Sequence, residues 1–173
     1  IMNSLACISL CLNYGISIDD IKKGLKNYTG ASRRFQYKGE YKQAKVYDDY
    51  GHHPTEVRAV ANSILNKNYN ESWVIFEPHT YSRVKEHYKS FANSLSSFDN
   101  IIITDIYAAR ENNEFNVTPE MIIEELNKLG KKAIHISNYD DIEKYLSERV
   151  KPNDLILTLG AGYVTKLSDM LTK

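Results

Sequence analysis

The chain of 173 residues has two cysteines, four prolines and one tryptophan, and its 22 Lys and Arg are matched by 22 Asp and Glu. Each scarcity excludes something. A formal net charge of zero argues against a general nucleic-acid binder, which needs a basic surface to meet phosphates. Cys7 and Cys11 stand four apart in a helical segment, where a disulfide has poor geometry. Both read as small core residues of a reduced, cytoplasmic protein. No apolar run is long enough to span a membrane, so no membrane insertion is expected. No signal-peptide pattern stands at the start. No Gly-x-x-x-x-Gly-Lys-Ser/Thr loop occurs, so the chain lacks the usual means of cradling a triphosphate by itself. His79, His87 and His135 show no metal-ligand spacing, and no metal site is expected. Thirteen tyrosines are many, but they are scattered, and no stacking platform is read into them.

What is present is a regular alternation. Leu5, Ile8 and Leu12 make one apolar stripe and Ile18, Ile21 and Leu25 another, predicting helices over 2–13 and 18–27. Gly15 ends the first, and Ser17-Ile18-Asp19-Asp20 starts the second. Ile1 to Ala6 already lie inside a helical pattern with no cap before them, which reads as a cut from a longer protein. Thr29-Gly30-Ala31-Ser32 is a small-residue break, a linker. Phe35-Gln36-Tyr37 and Lys45-Val46-Tyr47 predict two strands of a hairpin joined around Gly39. Apolar strands are then expected at 73–76, 101–104, 133–136 and 155–159. Helices are expected at 54–65, 82–95, 119–129, 140–150 and 163–171, with polar loops at 66–70 and 110–116. Continuous apolar strands alternating with amphipathic helices imply an α/β fold: a mostly parallel, Rossmann-like sheet with helices on both faces. All strand C-terminal ends then share one edge.

Four polar clusters fall at or just after strand ends. They are Asp48-Asp49-Tyr50-Gly51-His52-His53, then Glu77-Pro78-His79-Thr80-Tyr81-Ser82-Arg83, then Thr104-Asp105-Ile106-Tyr107-Ala108-Ala109-Arg110-Glu111, then Gly160-Ala161-Gly162. Distant in sequence, they should converge at the edge where open α/β sheets bind ligands. Individually each has a plainer reading. His52 and His53 before Pro54 fit a capped turn, with one ring bonded to backbone and one solvated. Asp105 fits a turn cap, and Arg33-Arg34 a solvated pair at the linker. Gly160-Ala161-Gly162 fits a weak phosphate loop or close helix-to-sheet packing equally well. Arg83 near a helix start opposes the helix dipole, which favours an anion as its partner.

Taken in order, these motifs resemble the C-terminal domain of the Mur ligase family. The run Asp48 to Glu56, Pro78 to Arg83, and Thr104 to Glu111 carry the resemblance. Asn3-Ser4-Leu5-Ala6 is similar to the helix that closes the family's central ATPase domain, and Arg33-Arg34-Phe35 to the basic pair opening the C-terminal domain. The resemblance divides the chain into 1–29, the helical end of the central domain plus linker, and 30–173, the C-terminal domain. It implies part of an ATP-dependent amide ligase that joins L-alanine to UDP-N-acetylmuramate in peptidoglycan synthesis. ATP would phosphorylate the muramoyl carboxylate, and the amine would attack the acyl phosphate. The implied partners are UDP-N-acetylmuramate, L-alanine, ATP and the enzyme's own central and N-terminal domains. ATP and its Mg would be bound mainly by the central domain, so the fragment alone is expected to be inactive. By residue, the resemblance puts Asn3 near the adenine, Arg34 at the ATP phosphates and Asp49 at the ribose. Tyr50, His52, His79 and Arg83 would line the amino-acid end. Thr80, Glu77 and Tyr163 depart from the family pattern, where arginine, glutamine and an acid are common. Two other readings compete: the recycling ligase that attaches a tripeptide to the same carboxylate, and a non-catalytic nucleotide- or small-molecule-binding module.

Overall fold

The computed structural model describes residues 2–64 and 68–173. They form two compact units, Ile1–Ala31 and Ser32–Lys173. The first is a helical pair, α1 (Met2–Asn13) and α2 (Ile18–Asn27). Ser17 caps α2 by accepting the Asp20 N–H, and Asp19 and Asp20 in the first turn complement the helix dipole. Cys7 is exposed and Cys11 only half-buried. They are not core residues: two helices alone cannot enclose a side chain, and both thiols line a groove of about 530 Å³ with Asn3, Ile21 and Leu25.

The second unit is a six-stranded sheet with the order β1-β2-β6-β3-β4-β5. The strands are β1 (Gln36–Tyr41), β2 (Ala44–Asp49), β3 (Ser72–Phe76), β4 (Asn100–Ile103), β5 (Ala133–His135) and β6 (Leu155–Leu159). Only β1 and β2 pair antiparallel; β2–β6, β6–β3, β3–β4 and β4–β5 are parallel. Between them run α3 (Pro54–Ile64), α4 (Tyr81–Leu95), α5 (Glu120–Lys128) and α6 (Tyr139–Ser147), and α7 (Thr165–Leu171) follows β6. β3 and β6 are buried along their whole length because helices cover both faces. Val74, Phe76, Leu157 and Leu159 face α3, α4 and α5 through Val57, Ala61, Phe91, Leu95, Ile122 and Leu126. Trp73, Ile75 and Ile156 face α6 and α7 through Ile142, Leu146, Leu167 and Leu171. Burying each such side chain contributes roughly 1.5–3 kcal/mol.

The chain leaves β2 and β3 for helices on the first face but leaves β6, which lies between them, for α7 on the second. Neighbouring loops therefore part at the C-terminal ends of these three strands, and a crevice opens there.

The mostly parallel α/β sheet agrees with the expectation; two details do not. The hairpin does not turn at Gly39. It turns at Lys42 and Gln43, which both adopt positive φ (50° and 65°), the pattern of a two-residue turn matched to strand twist. Gly39 sits inside β1 at a register shift between Tyr37 and Gly39, a bulge with φ 144°, and Thr172 packs 3.1 Å from where a Cβ would stand. The helix expected over 140–150 ends at Ser147, where the chain tightens through the bond from Val150 N–H to Leu146 O and runs on to Pro152. Leu65, Asn66 and Lys67, the expected helix end and loop start, lie outside the described residues.

The left-handed backbone at Gln43 costs a non-glycine residue about 1 kcal/mol. Gln43→Gly should therefore stabilise the hairpin by a few tenths to about 1 kcal/mol, less the entropy glycine adds to the unfolded chain. Urea unfolding measures it, and a lower midpoint would contradict this assignment of the turn.

Candidate functional site

The crevice is organised by one arginine. Arg33 lies just ahead of β1 with φ 55°. Its Nε donates to Asp48 Oδ2 at 2.9 Å, its Nη2 to Gly160 O at 2.6 Å and its Nη1 to Gly162 O at 3.4 Å. Asp48, at the end of β2, is completely buried. It also accepts the hydroxyls of Thr158 (2.7 Å) and Thr165 (3.0 Å). A charge so enclosed is tolerated only when paired and fully hydrogen-bonded. Arg33 is thus not half of a solvated pair; Arg34 is the exposed member.

The Gly160-Ala161-Gly162 turn is held from its other side by Glu77, at the end of β3. Glu77 is 5% exposed; it accepts the Val164 N–H at 3.2 Å and the Tyr139 hydroxyl at 3.1 Å. A side chain at Gly162 would run into the Glu77 carboxylate and stand 2.7 Å from Tyr107 Cγ; one at Gly160 would stand 2.7 Å from Glu77 O. Close packing, not phosphate binding, explains both glycines. Arg33 takes the Gly160 and Gly162 carbonyls, and the Glu77 carboxylate takes the Val164 N–H just beyond the turn.

Asp49 is 4% exposed. Its two oxygens accept the N–H groups of Phe35 (2.7 Å) and Gly51 (2.8 Å). Burial raises its pKa against those two bonds and the Arg34 charge, which lower it. Pro54 opens α3, where its missing N–H costs nothing. Glu56 reaches back to the N–H groups of His52 (3.0 Å) and His53 (3.1 Å), the reciprocal half of a capping box. Burial pushes the Glu56 carboxyl up, but those two bonds, with the His52 and Arg34 charges, hold it below its usual value. The two imidazoles part at this turn. His52 Nδ1 lies 3.1 Å from Tyr50 O, and His53 Nδ1 lies 2.8 Å from Thr55 Oγ1.

His52 meets His79 with ring centroids 5.4 Å apart. His79 follows β3, bridges in parallel to Tyr107, and accepts an N–H from Arg83 Nη1 at its Nδ1, 2.8 Å away. Burial, then the charges of Arg83 and His52, lower the His79 pKa, while Glu111 opposes them. His79 is therefore neutral at pH 7, with Nδ1 accepting and Nε2 carrying the proton. Glu111, in the loop after β4, receives the Ser82 N–H (2.9 Å) and hydroxyl (2.6 Å). It caps α4 where Thr80, itself at φ 64°, makes no side-chain cap. The N–H groups that Arg83 does not spend on His79 suit a carboxylate or phosphate, and His79 offers its Nε2–H from the other side of the ring.

The structure thus brings together four of the sequence-expected residues, Tyr50, His52, His79 and Arg83. Their rings form a succession absent from the sequence reading. Tyr50–His52, His52–His79, His79–Tyr107 and Tyr107–Tyr163 centroids are 5.4, 5.4, 5.5 and 5.2 Å apart. Scattered along the chain, these tyrosines meet only because four strand ends meet. Asn3 lies on α1 in the separate helical unit. Arg33, Asp48, Glu77 and Glu111 went unrecognised as organisers. Arg33 and Arg34 are indistinguishable by type, but Asp48, Glu77 and Glu111 all lay within flagged clusters. Among the described residues no group of three or more His, Cys, Asp or Glu is arranged to hold a metal.

Comparison with known proteins places these motifs. The family model described as "Mur ligase, glutamate ligase domain" matches residues 33–162. Over all 173 residues the chain is 42% identical to the UDP-N-acetylmuramate–L-alanine ligase of Acetivibrio thermocellus, covering 37% of that protein. It is 40% identical to the ligase of the same name from Lachnospira eligens, covering 38%. The crystal structure of the Thermotoga maritima UDP-N-acetylmuramate-alanine ligase superimposes with a TM-score of 0.77 at 28% identity, over 98% of this chain and 36% of that one. A murein peptide ligase from Psychrobacter arcticus, at TM-score 0.73 and 23% identity over 98% of this chain and 35% of that one, shares the fold. The chain spans little more than a third of the curated relatives it matches.

Burial raises the Glu77 carboxyl above its ordinary value, although the bonds from Val164, Tyr139 and Tyr163 and the Arg33 charge lower it. A carboxyl with a raised folded-state pKa holds its proton more tightly in the fold. Its contribution favours the fold below the unfolded value and is lost as pH rises through the folded one. Glu77→Gln keeps an acceptor for the Val164 N–H and offers an N–H to the Tyr139 oxygen, with no charge to bury. The native chain should therefore lose unfolding free energy relative to Glu77→Gln as pH rises from about 4.5 toward neutrality. Parallel urea titrations test this; a pH-independent difference would contradict it.

Proposed function

The chain belongs to the Mur ligase family, through its glutamate ligase domain, and we propose that it is the C-terminal part of an ATP-dependent ligase joining L-alanine to UDP-N-acetylmuramate. The observation that carries this reading is the His52–His79–Arg83 donor cluster at the C-terminal edge of the sheet, in a chain about 40% identical throughout to ligases of that name. The recycling reading has less support, because the murein peptide ligase matches at 23% identity, a likeness of fold. A purely binding role leaves the donor cluster without a reaction to serve.

In this reading the acceptor's carboxylate docks on the Arg83 guanidinium, which His79 orients through Nδ1. Tyr50 and His52 close the other side. His79 must stay neutral to accept from Arg83, and its lowered pKa keeps it so. Arg34, exposed and beside Asp49 and Glu56, reaches the ATP phosphates. Asp49 meets the ribose through lone pairs left over from its bonds to Phe35 and Gly51, so it contacts the nucleotide while bracing the turn. Asn3, on α1 of the helical unit, meets the adenine. Residues 1–29 end the central ATPase domain, and 30–173 form the C-terminal domain. The muramoyl carboxylate takes the γ-phosphoryl group of ATP, releasing ADP. The neutral amine of alanine then attacks the acyl carbon; the C–N bond forms, the C–O bond to phosphate breaks, and the amine gives up a proton. Fixed positive charge stabilises the oxyanion that develops. Magnesium and the triphosphate cradle belong to the rest of the enzyme. No helix among the described residues is long and apolar enough to cross a membrane, and UDP-linked substrate and ATP place the reaction in the cytoplasm.

In the full-length ligase, Arg83→Ala should cost about 2–4 kcal/mol of transition-state stabilisation, as loss of an anion-stabilising donor typically does. Steady-state phosphate release dependent on all three substrates measures it. A loss below about threefold would remove Arg83 from the site. Arg83→Lys should recover little of the activity if the contact is bidentate.

His52→Ala should raise the Michaelis constant for L-alanine while leaving that for ATP and the melting temperature nearly unchanged. A variant damaged chiefly toward ATP, or simply unfolded, would overturn the assignment of His52 to the acceptor.

A further inference from the structure

We infer that the cleft between α3 and α4 is a second anion site, built for a phosphoryl oxyanion and separate from the His52–His79–Arg83 cluster. The cleft encloses about 460 Å³, lined from α3 and its lead-in by His53, Thr55 and Arg58 and from α4 by His87 and Ser90, with no carboxylate in its wall. Nearby acids do not neutralise it. Glu56 is committed to the backbone N–H groups of His52 and His53, and Glu86, 75% exposed, approaches His87 only to 3.9 Å.

His53 is oriented by its neighbours. His53 Nδ1 is occupied by Thr55, through its hydroxyl at 2.8 Å and its N–H at 3.4 Å. Nε2 is therefore the ring nitrogen left to bind. The His53 and His87 rings stand 5.2 Å apart at 73°. Arg58 follows one turn into α3, and no carboxylate in the cleft wall meets it. A guanidinium, two imidazoles and a hydroxyl approaching from two helices suit the several faces of a tetrahedral oxyanion better than the single plane of a carboxylate. The cleft is also larger than one phosphate, so the oxyanion can be free or the phosphoryl end of a larger molecule. The inference is independent of the acceptor site proposed above, since none of its residues is shared.

The test is titration of the chain with inorganic phosphate and, separately, with AMP, following the imidazole resonances by NMR. Saturable shifts of His53 and His87 are expected, and they should persist unchanged in Arg83→Ala whether or not His52 and His79 also move in the native chain. Arg58→Ala should weaken phosphate binding about tenfold, or 1.4 kcal/mol, and Arg83→Ala should leave it unchanged. Equal affinity for phosphate and AMP identifies the free anion as the ligand; tighter AMP binding identifies a phosphoryl end. Shifts confined to His52 and His79, loss of binding in Arg83→Ala, unchanged binding in Arg58→Ala, or no saturation with either compound would each overturn the inference. Thermal melts of both variants confirm that the fold is retained, and Arg58→Lys, which keeps the charge, should restore part of the affinity.

Discussion

The crevice depends on the contact between Arg33 and Asp48. A carboxylate with no solvent exposure would be untenable alone, and removing one partner of such a buried pair typically costs about 3–5 kcal/mol. Here the charge is shared among one guanidinium and two threonine hydroxyls. The planar fork of arginine lets one side chain reach the end of β2 and both carbonyls of the Gly160–Gly162 turn together. The lead-in to β1, the tip of β2, the turn after β6 and the start of α7 are fixed at one point. That bond network offsets the backbone strain of positive φ at Arg33 and Phe35, roughly 1–3 kcal/mol at each such residue.

Glu77 completes the arrangement from the opposite direction. Arg33 satisfies the carbonyls of the turn, and Glu77 satisfies the amides beyond it. A glycine-rich turn at a helix start is ordinarily suited to phosphate, yet at this one a buried carboxylate already takes the Val164 N–H beyond the turn. The same logic sets the state of His79: burial and the neighbouring Arg83 guanidinium keep it neutral, which frees Nδ1 to orient Arg83. Glu111 secures the start of α4, so that Arg83 projects from a capped helix rather than a fraying one.

A domain built this way offers hydrogen-bond donors at an open edge but no cradle for a triphosphate. Under the proposed reading that is a division of labour. One part of the ligase grips and activates the nucleotide; this part supplies acceptor contacts and further positive charge. The row of rings from Tyr50 to Tyr163 frames the edge, giving the acceptor side an apolar wall beside its anion contacts.

Much of this was legible in the residues. Strands buried on both faces must be continuously apolar, so β3, β4 and β6 stood out, and the parallel sheet followed from their alternation with amphipathic helices. Clusters at strand ends located the site, because parallel strands send all their C-terminal ends to one edge. The motifs themselves carried the family. The hairpin turn was misplaced because Lys42 and Gln43 lack the usual turn residues, while Gly39, which has them, serves a bulge. Nothing local distinguishes Arg33 from Arg34, or a glycine that admits phosphate from one crowded by a carboxylate. Those outcomes depend on groups more than a hundred residues apart, Arg33 with Gly160 and Asp48 with Thr158. Local pattern and composition determined the elements, their order and the edge that matters. Only tertiary packing, by deciding which charges are buried and what pairs with them, determined which arginine braces the crevice and which stays exposed.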